Sequence, residues 1–306
     1  MKWKRNTGFG RIEDRRGQSA GGGGLGGMLG GGGGGGGGGG FPIPIPGGKA
    51  GGGIGSIIVV VVLFLLFSGV LGGGGGGGIP GLGGLGGGAV EPGGTLQPRS
   101  DTDQQLAYIV DSIETFWAEE FRAAGKDYPE TKLVLFEQAT QSTCGPASSA
   151  TGPFYCPADQ KVYLDLGFFD ELEARFGASG GDFAMAYVVA HEYGHHIQNA
   201  LGISQRVQEL AQQDPNAAND LSVRQELQAD CLAGVWAHSA ASDVQAGDIE
   251  EAISAAQAVG DDRIQEATTG RIDPESWTHG SAEQRVQWFT TGYRSGNSDD
   301  CDTFSG

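Results

Sequence analysis

The sequence predicts a helix-dominated α+β domain with one small sheet, preceded by a glycine-rich tail and one transmembrane helix. Three observations carry that reading. Of the 59 glycines, 42 fall in residues 1–100, a composition too poor in apolar side chains to bury a core. Residues 54–71 form an uncharged run of 18 mostly apolar residues, near the lower limit for crossing a bilayer. Residues 101–306 have a mixed composition, the length of one domain and helical apolar spacing in most segments.

The first element is the tail. Residues 1–53 hold seven basic residues (Lys2, Lys4, Arg5, Arg11, Arg15, Arg16, Lys49) against Glu13 and Asp14. No basic residue follows the apolar run until Arg99. The positive-inside rule then predicts a disordered cytoplasmic tail over 1–53 and a single-pass span over 54–71 in the cell membrane. Residues 72–100 are expected to be a flexible Gly/Pro-rich tether, and residues 101–306 an extracytoplasmic domain. A buried core segment fits residues 54–71 less well, because glycine tracts flank them. A cleaved signal peptide also fits less well, because the run is long and far from the N-terminus. The whole chain carries a net charge of −18 although its tail is basic. A domain that acidic excludes nucleic acid as a partner, and its charge reads as a solvated surface. Nothing in the sequence fixes an oligomeric state.

The domain elements follow in order. Leu106, Ile109, Val110, Ile113, Phe116, Trp117 and Phe121 have the spacing of an amphipathic helix that starts near Asp101 and stops at Gly125. Residues 132–136 and 161–166 read as strands on either side of a cysteine loop. A short helix over 168–176 ends at Gly177. The next helix, capped by Asp182 or a nearby residue, runs to about Ala200, with Gly202 as its stop. Further helices are expected over 221–239, 248–259 and 283–293.

Four cysteines make an even count, and an oxidising compartment makes two disulfides the expected state. Of three possible connectivities, Cys144 with Cys156 and Cys231 with Cys301 is preferred. Cysteine ligation of a metal is the alternative, but no C-x-x-C pair supports it.

The chemistry begins at His191-Glu192-Tyr193-Gly194-His195. Residues i and i+4 share a helix face, so the two imidazoles can hold one metal ion, with Glu192 beside it as a base. This is the H-E-x-x-H pattern of zinc-dependent peptide hydrolases, and here it lies in an apolar helical run. Catalytic zinc takes three protein ligands and keeps a position for water. Glu226 and Asp230 are again four apart on the next long helix. Glu226 can complete the site, and Asp230 can accept a hydrogen bond from a ligand imidazole and fix its tautomer. A solvated acidic face is the alternative for this pair. His196, about 100° around the helix from His195, and His238 read as structural. His279, in a turn before the last helix, can steady an oxyanion or simply bond to backbone.

Residues 144–147, 152–157, 162–166, 191–196, 226–231 and 278–281, together with the start at residues 12–16, resemble the bacterial YpfJ-type neutral zinc metallopeptidases. The likeness covers about residue 101 to the end, with the long glycine-rich tail and tether as the departure. It implies a zincin-like metallopeptidase domain of the gluzincin kind. His191, His195 and Glu226 would be the ligands of one zinc per chain, and Glu192 the catalytic acid and base.

The expected activity is therefore hydrolysis of peptide bonds in a peptide or protein substrate by metal-activated water. Glu192 would act as base, and His279 or Tyr193 would stabilise the oxyanion. The strand at 162–166 could hold an extended substrate by edge pairing. The alternative is a non-catalytic zinc-containing envelope protein that binds a partner, against which an intact base argues. A hydrolase of non-peptide bonds uses the same ligands.

Overall fold

In the computed structural model, the described residues are 1–2, 7–18 and 93–305. The anticipated span at 54–71 lies outside them. Among the described residues no helix is long and apolar enough to cross a membrane.

The sheet departs from the sequence reading at its start. Residues 12–14, assigned to the tail, form β1 (Ile12–Asp14), and β2 (Gly94–Thr95) lies in the presumed tether. Only Ile12 is apolar in these five residues, so strands this short leave no alternation to read. The 23-residue helix α1 (Asp101–Ala123) follows, with Ser100 as N-cap accepting from the Asp103 N–H. Then come β3 (Lys132–Phe136), a hairpin of β4 (Ala139–Ser142) and β5 (Gly145–Ser148), β6 (Phe154–Cys156) and β7 (Lys161–Asp165). Five strands order as β2-β1-β3-β7-β6, and the hairpin forms its own two-stranded sheet. The β1, β3 and β7 strands are mutually parallel; β2 and β6 run antiparallel at the edges. β7 is therefore a central strand paired on both sides, and it cannot offer an edge to a substrate. Its residues read as a strand, but strand order depends on partners from distant segments.

The pleat divides the sheet's faces. Leu133, Leu135, Val162 and Leu164 enter the main core with the helices. Val134, Phe136 and Tyr163 face the other way, into a smaller cluster with Phe154, Ala147 and the Cys144–Cys156 pair.

The helical layer continues with α2 (Gly167–Phe176), α3 (Asp182–Ala200), α4 (Ile203–Gln213) and α5 (Ala218–Ser239). It ends with α6 (Asp248–Ala258), α7 (Asp261–Thr269) and α8 (Ala282–Ser295). The expected helices are present with shifted ends; α4 and α7, polar and short, are additional. Gly181 rather than Asp182 is the N-cap of α3. α5 is buried continuously from Glu226 to Ala237, which is why its apolar stripe is poorly defined. Glycine permits its crossing with α8. A Cβ on Gly292 would sit 1.9 Å from the Cys231 carbonyl oxygen, and one on Gly234 would sit 2.1 Å from that of Phe289.

Cys144 pairs with Cys156 and Cys231 with Cys301. The second closes a separation of 70 residues and ties the C-terminal turn to α5. Loop-closure entropy for that length is ~4 kcal/mol. The Cys231→Ser/Cys301→Ser protein is expected to unfold at a correspondingly lower urea midpoint than the parent. An unchanged midpoint would show that the C-terminal turn is held by its hydrogen bonds alone.

Candidate metal centre

α3 and α5 lie side by side, and a glycine inside the motif sets their distance. A Cβ on Gly194 would meet the Cα and carbonyl oxygen of Ala229 at 3.0 Å. At this contact one turn of α3 presents His191 and His195 to Glu226. The Nε2 of His191 is 3.1 Å from Glu226 Oε2, and the Nε2 of His195 is 3.4 Å from Oε1. One ligand atom from each of the three residues lies within 4.8 Å of the others. Glu226 and Asp230 are both buried, which removes the solvated-face alternative for this pair.

The outward nitrogens are held by partners. His191 Nδ1 is 2.8 Å from Asp230 Oδ1 and 3.3 Å from Arg285 Nη2. The shorter contact is to a carboxylate, so Nδ1 carries the proton and donates to Asp230. Without a metal ion Nε2 carries a second proton toward Glu226 Oε2; loss of that proton frees its lone pair for a metal ion. His195 Nδ1 lies 2.9 Å from Gln198 Oε1. The Gln198 amide is oriented because its Nε2 donates to the Gln225 carbonyl at 2.7 Å and to Gln228 Oε1 at 3.1 Å. Both rings thus turn Nε2 inward. Two imidazole nitrogens and one carboxylate oxygen are the donor set of catalytic zinc sites that leave a fourth position open, so these residues fit a zinc ion.

Asp230 is the best-connected group nearby. It is fully buried and accepts from His191, from the Tyr187 hydroxyl at 2.6 Å, and from Arg285 Nε at 2.8 Å and Nη2 at 3.0 Å. Burial disfavours its charge, but Arg285 and His191 outweigh that and hold its carboxyl down at about 2. Burial works against a charged His191, yet Asp230 and Glu226 push it up to about 10. In the metal-free protein that imidazole carries a proton which a metal ion must displace.

Glu192 follows His191 on the helix and is 8 % exposed. Its carboxylate makes no hydrogen bond to the described residues, and burial raises it above the usual carboxylate range against the pull of His191 and His195.

His279 stands in the turn before α8. Asp261, the first residue of α7, accepts the backbone N–H groups of Thr278, His279 and Gly280 on Oδ2. Its Oδ1 lies 3.3 Å from His279 Nδ1. The ring carries a raised pKa: burial opposes the charge, and Glu226 and then Asp261 favour it. His279 and Glu226 attract one another, and His279 is not one of the three clustered ligands.

Tyr193 does not belong to the site. It is fully buried and faces Glu114 on α1. Two residues from His191 on a helix is a rotation of about 200°, which the sequence already contained. His196 lies between the Tyr155 hydroxyl and the Pro129 carbonyl, and His238 contacts the Tyr293 carbonyl; both are structural. Sequence reasoning missed Tyr187, Gln198, Asp261 and Arg285. Tyr187 and Gln198 share helix faces with His191 and His195 through i+4 and i+3 spacing, which could have found them. Asp261 and Arg285 have no local signal.

A family described as "Putative neutral zinc metallopeptidase" matches residues 1–304. The Escherichia coli (strain K12) "Uncharacterized protein YpfJ" is 47% identical over 214 residues, covering 69% of this chain and 74% of its own. The Mycobacterium bovis "Uncharacterized protein Mb2605" is 53% identical over 190 residues, covering 58% of this chain and 64% of its own. The same figures describe the Mycobacterium tuberculosis (strain H37Rv) "Uncharacterized protein Rv2575". No solved structure matches. A donor set that fits zinc thus lies inside a match covering nearly the whole chain, and the protein belongs to the family described as "Putative neutral zinc metallopeptidase".

Proposed function

We propose that this chain is a zinc-dependent peptidase in which His191, His195 and Glu226 hold the metal and Glu192 moves the proton. One observation carries the reading: three ligand atoms from two helices converge within 4.8 Å, with a buried carboxylate from the same turn beside them. When bound, zinc supplies a Lewis acid that polarises a carbonyl and lowers the pKa of water toward ~7. Glu192 takes a proton from water as it attacks the scissile carbonyl carbon. It then delivers that proton to the departing amine nitrogen as the C–N bond breaks. Asp230 and Gln198 keep the two imidazoles in the tautomer that ligates. His279, oriented by Asp261, donates from Nε2 to the oxygen that gains charge on attack. Attachment to a membrane through residues 54–71 is part of the proposal and rests on their composition.

Metal analysis of the purified full chain is expected to give one zinc per chain. Digestion of a proteome-derived peptide library should stop on removal of the metal and resume on adding zinc. Cleavage that persists in metal-free protein would overturn the assignment, as would zinc binding with no cleavage of any peptide. The second result would favour a binding role or a non-peptide substrate. Replacing His279 by alanine is expected to lower kcat by about 10²–10³ with KM and zinc content little changed. An unaltered kcat would confine His279 to holding the turn.

A further inference from the structure

The N-terminal segment bears on which side of a membrane each part of the chain can occupy. β1 lies between β2 and β3, in register with both: Glu13 pairs with Thr95 on one side and Val134 on the other. The Arg15 N–H donates to the Leu135 carbonyl at 2.8 Å, and the Leu96 N–H donates to that of Ile12 at 3.2 Å. Ile12 is buried in the main core. Gly8 lies so close to α1 that a Cβ on it would overlap the Ala107 carbonyl.

The charges of this segment are matched one by one. Arg16 grips Asp103 with two hydrogen bonds of 2.8 and 3.0 Å. Arg11 reaches Asp111 at 3.0 Å and Glu114 at 3.2 Å. Asp103 and Glu114 are fully buried in α1, and among the described residues these arginines are the cations that bond to them. Without residues 7–18 the Asp103 carboxylate would be buried with no counter-ion, a costly state for any fold, and Glu114, which burial already raises to about 7, would lose the Arg11 guanidinium that favours its charge. The flank of β3 would also be an open parallel edge. The segment is therefore built into the domain, and the family match that starts at residue 1 includes it.

Residues 54–71 lie in sequence between β1 and β2. A single crossing there would put β1 on one side of the bilayer and its two hydrogen-bonding partners on the other. Eighteen residues supply one crossing at most. We infer that residues 7–18 and 93–305 fold on the same side of any membrane the chain meets. Three of the seven basic residues that suggested a cytoplasmic tail, Arg11, Arg15 and Arg16, are bound to carboxylates of this fold. They therefore give no sign of a cytoplasmic location. Any membrane attachment through this part of the chain would then leave both described segments on one side. This inference is independent of the chemistry proposed for the metal centre.

All four native cysteines are in disulfides, so a single added cysteine is the one free thiol. Gly10 is exposed and a Cβ there meets nothing within 4 Å; Lys126, beyond α1, is exposed as well. Full-length Gly10→Cys and Lys126→Cys proteins, expressed in cells, are treated with a membrane-impermeant maleimide before and after permeabilisation. The two are expected to label together, either both before or both only after. Labelling of Lys126→Cys in intact cells with Gly10→Cys protected until permeabilisation would overturn the inference, as would the reverse. As a second measurement, Glu13→Cys/Thr95→Cys, opposite one another across β1 and β2, should form a disulfide in the full-length protein in cells. A free thiol pair there, in protein whose native disulfides are intact, would also count against a shared side.

Discussion

Replacement of Glu192 by glutamine is expected to lower kcat by about 10²–10⁴ while zinc content and thermal stability stay close to the parent's. The substitution keeps size and shape, exchanges one carboxylate oxygen for an NH2 donor, and removes the ability to accept a proton from water. The ligand geometry should survive it. Asp230 and Gln198 orient the imidazoles from the other side, and Glu226 arrives from a different helix. The buried setting of Glu192 also makes the exchange mild, because it replaces a carboxylate disfavoured by burial with a neutral amide. The measurement is a progress curve on a peptide cleaved by the parent, with zinc and melting temperature determined on the same preparation. Full activity would remove Glu192 from the chemistry. Loss of zinc along with activity would instead make Glu192 a ligand and reopen the assignment of Glu226.

What the sequence disclosed, and what it concealed, follows from the range over which each signal acts. His191, Glu192 and His195 are legible because one helical turn fixes their relation, and Glu226 with Asp230 repeats the spacing. The α1, α3 and α5 helices are long enough for apolar periodicity to register. β1 is hidden because three residues with one apolar side chain show no period, and its partners lie some 80 to 120 positions later in the chain. The central place of β7 is hidden for the same reason: strand order depends on residues brought from both ends. Asp261 is concealed differently. At the start of a short polar helix it looks like an ordinary first-turn acid, yet its oxygens hold the turn that carries His279.

Arg285 leads to the second large effect. Its guanidinium is almost completely buried, and Nε and Nη2 form a two-pronged contact with Asp230 while Nη1 donates to the Val259 carbonyl. Replacing it by methionine keeps much of the volume and removes the guanidinium, the larger of the two positive partners of the buried Asp230. Breaking a buried pair from one side costs about 3–5 kcal/mol, a large part of the ~5–15 kcal/mol that keeps a domain folded. Arg285→Met should therefore lower the urea midpoint sharply. Asp230→Asn keeps an oxygen that can face His191 but removes the charge, and zinc affinity is expected to fall about 10–100-fold. The two effects are coupled, because Arg285 orients the carboxylate that orients the imidazole. In a double-mutant cycle for stability, Arg285→Met should cost much less when Asp230 is already asparagine. Arg285→Lys tests geometry apart from charge: one ammonium cannot reproduce the two-pronged contact, so stability should recover more than zinc affinity does. Additive losses in the cycle would break the link between the two residues. Parent-like zinc affinity in Arg285→Lys would show that charge alone, without the fork, suffices to hold His191.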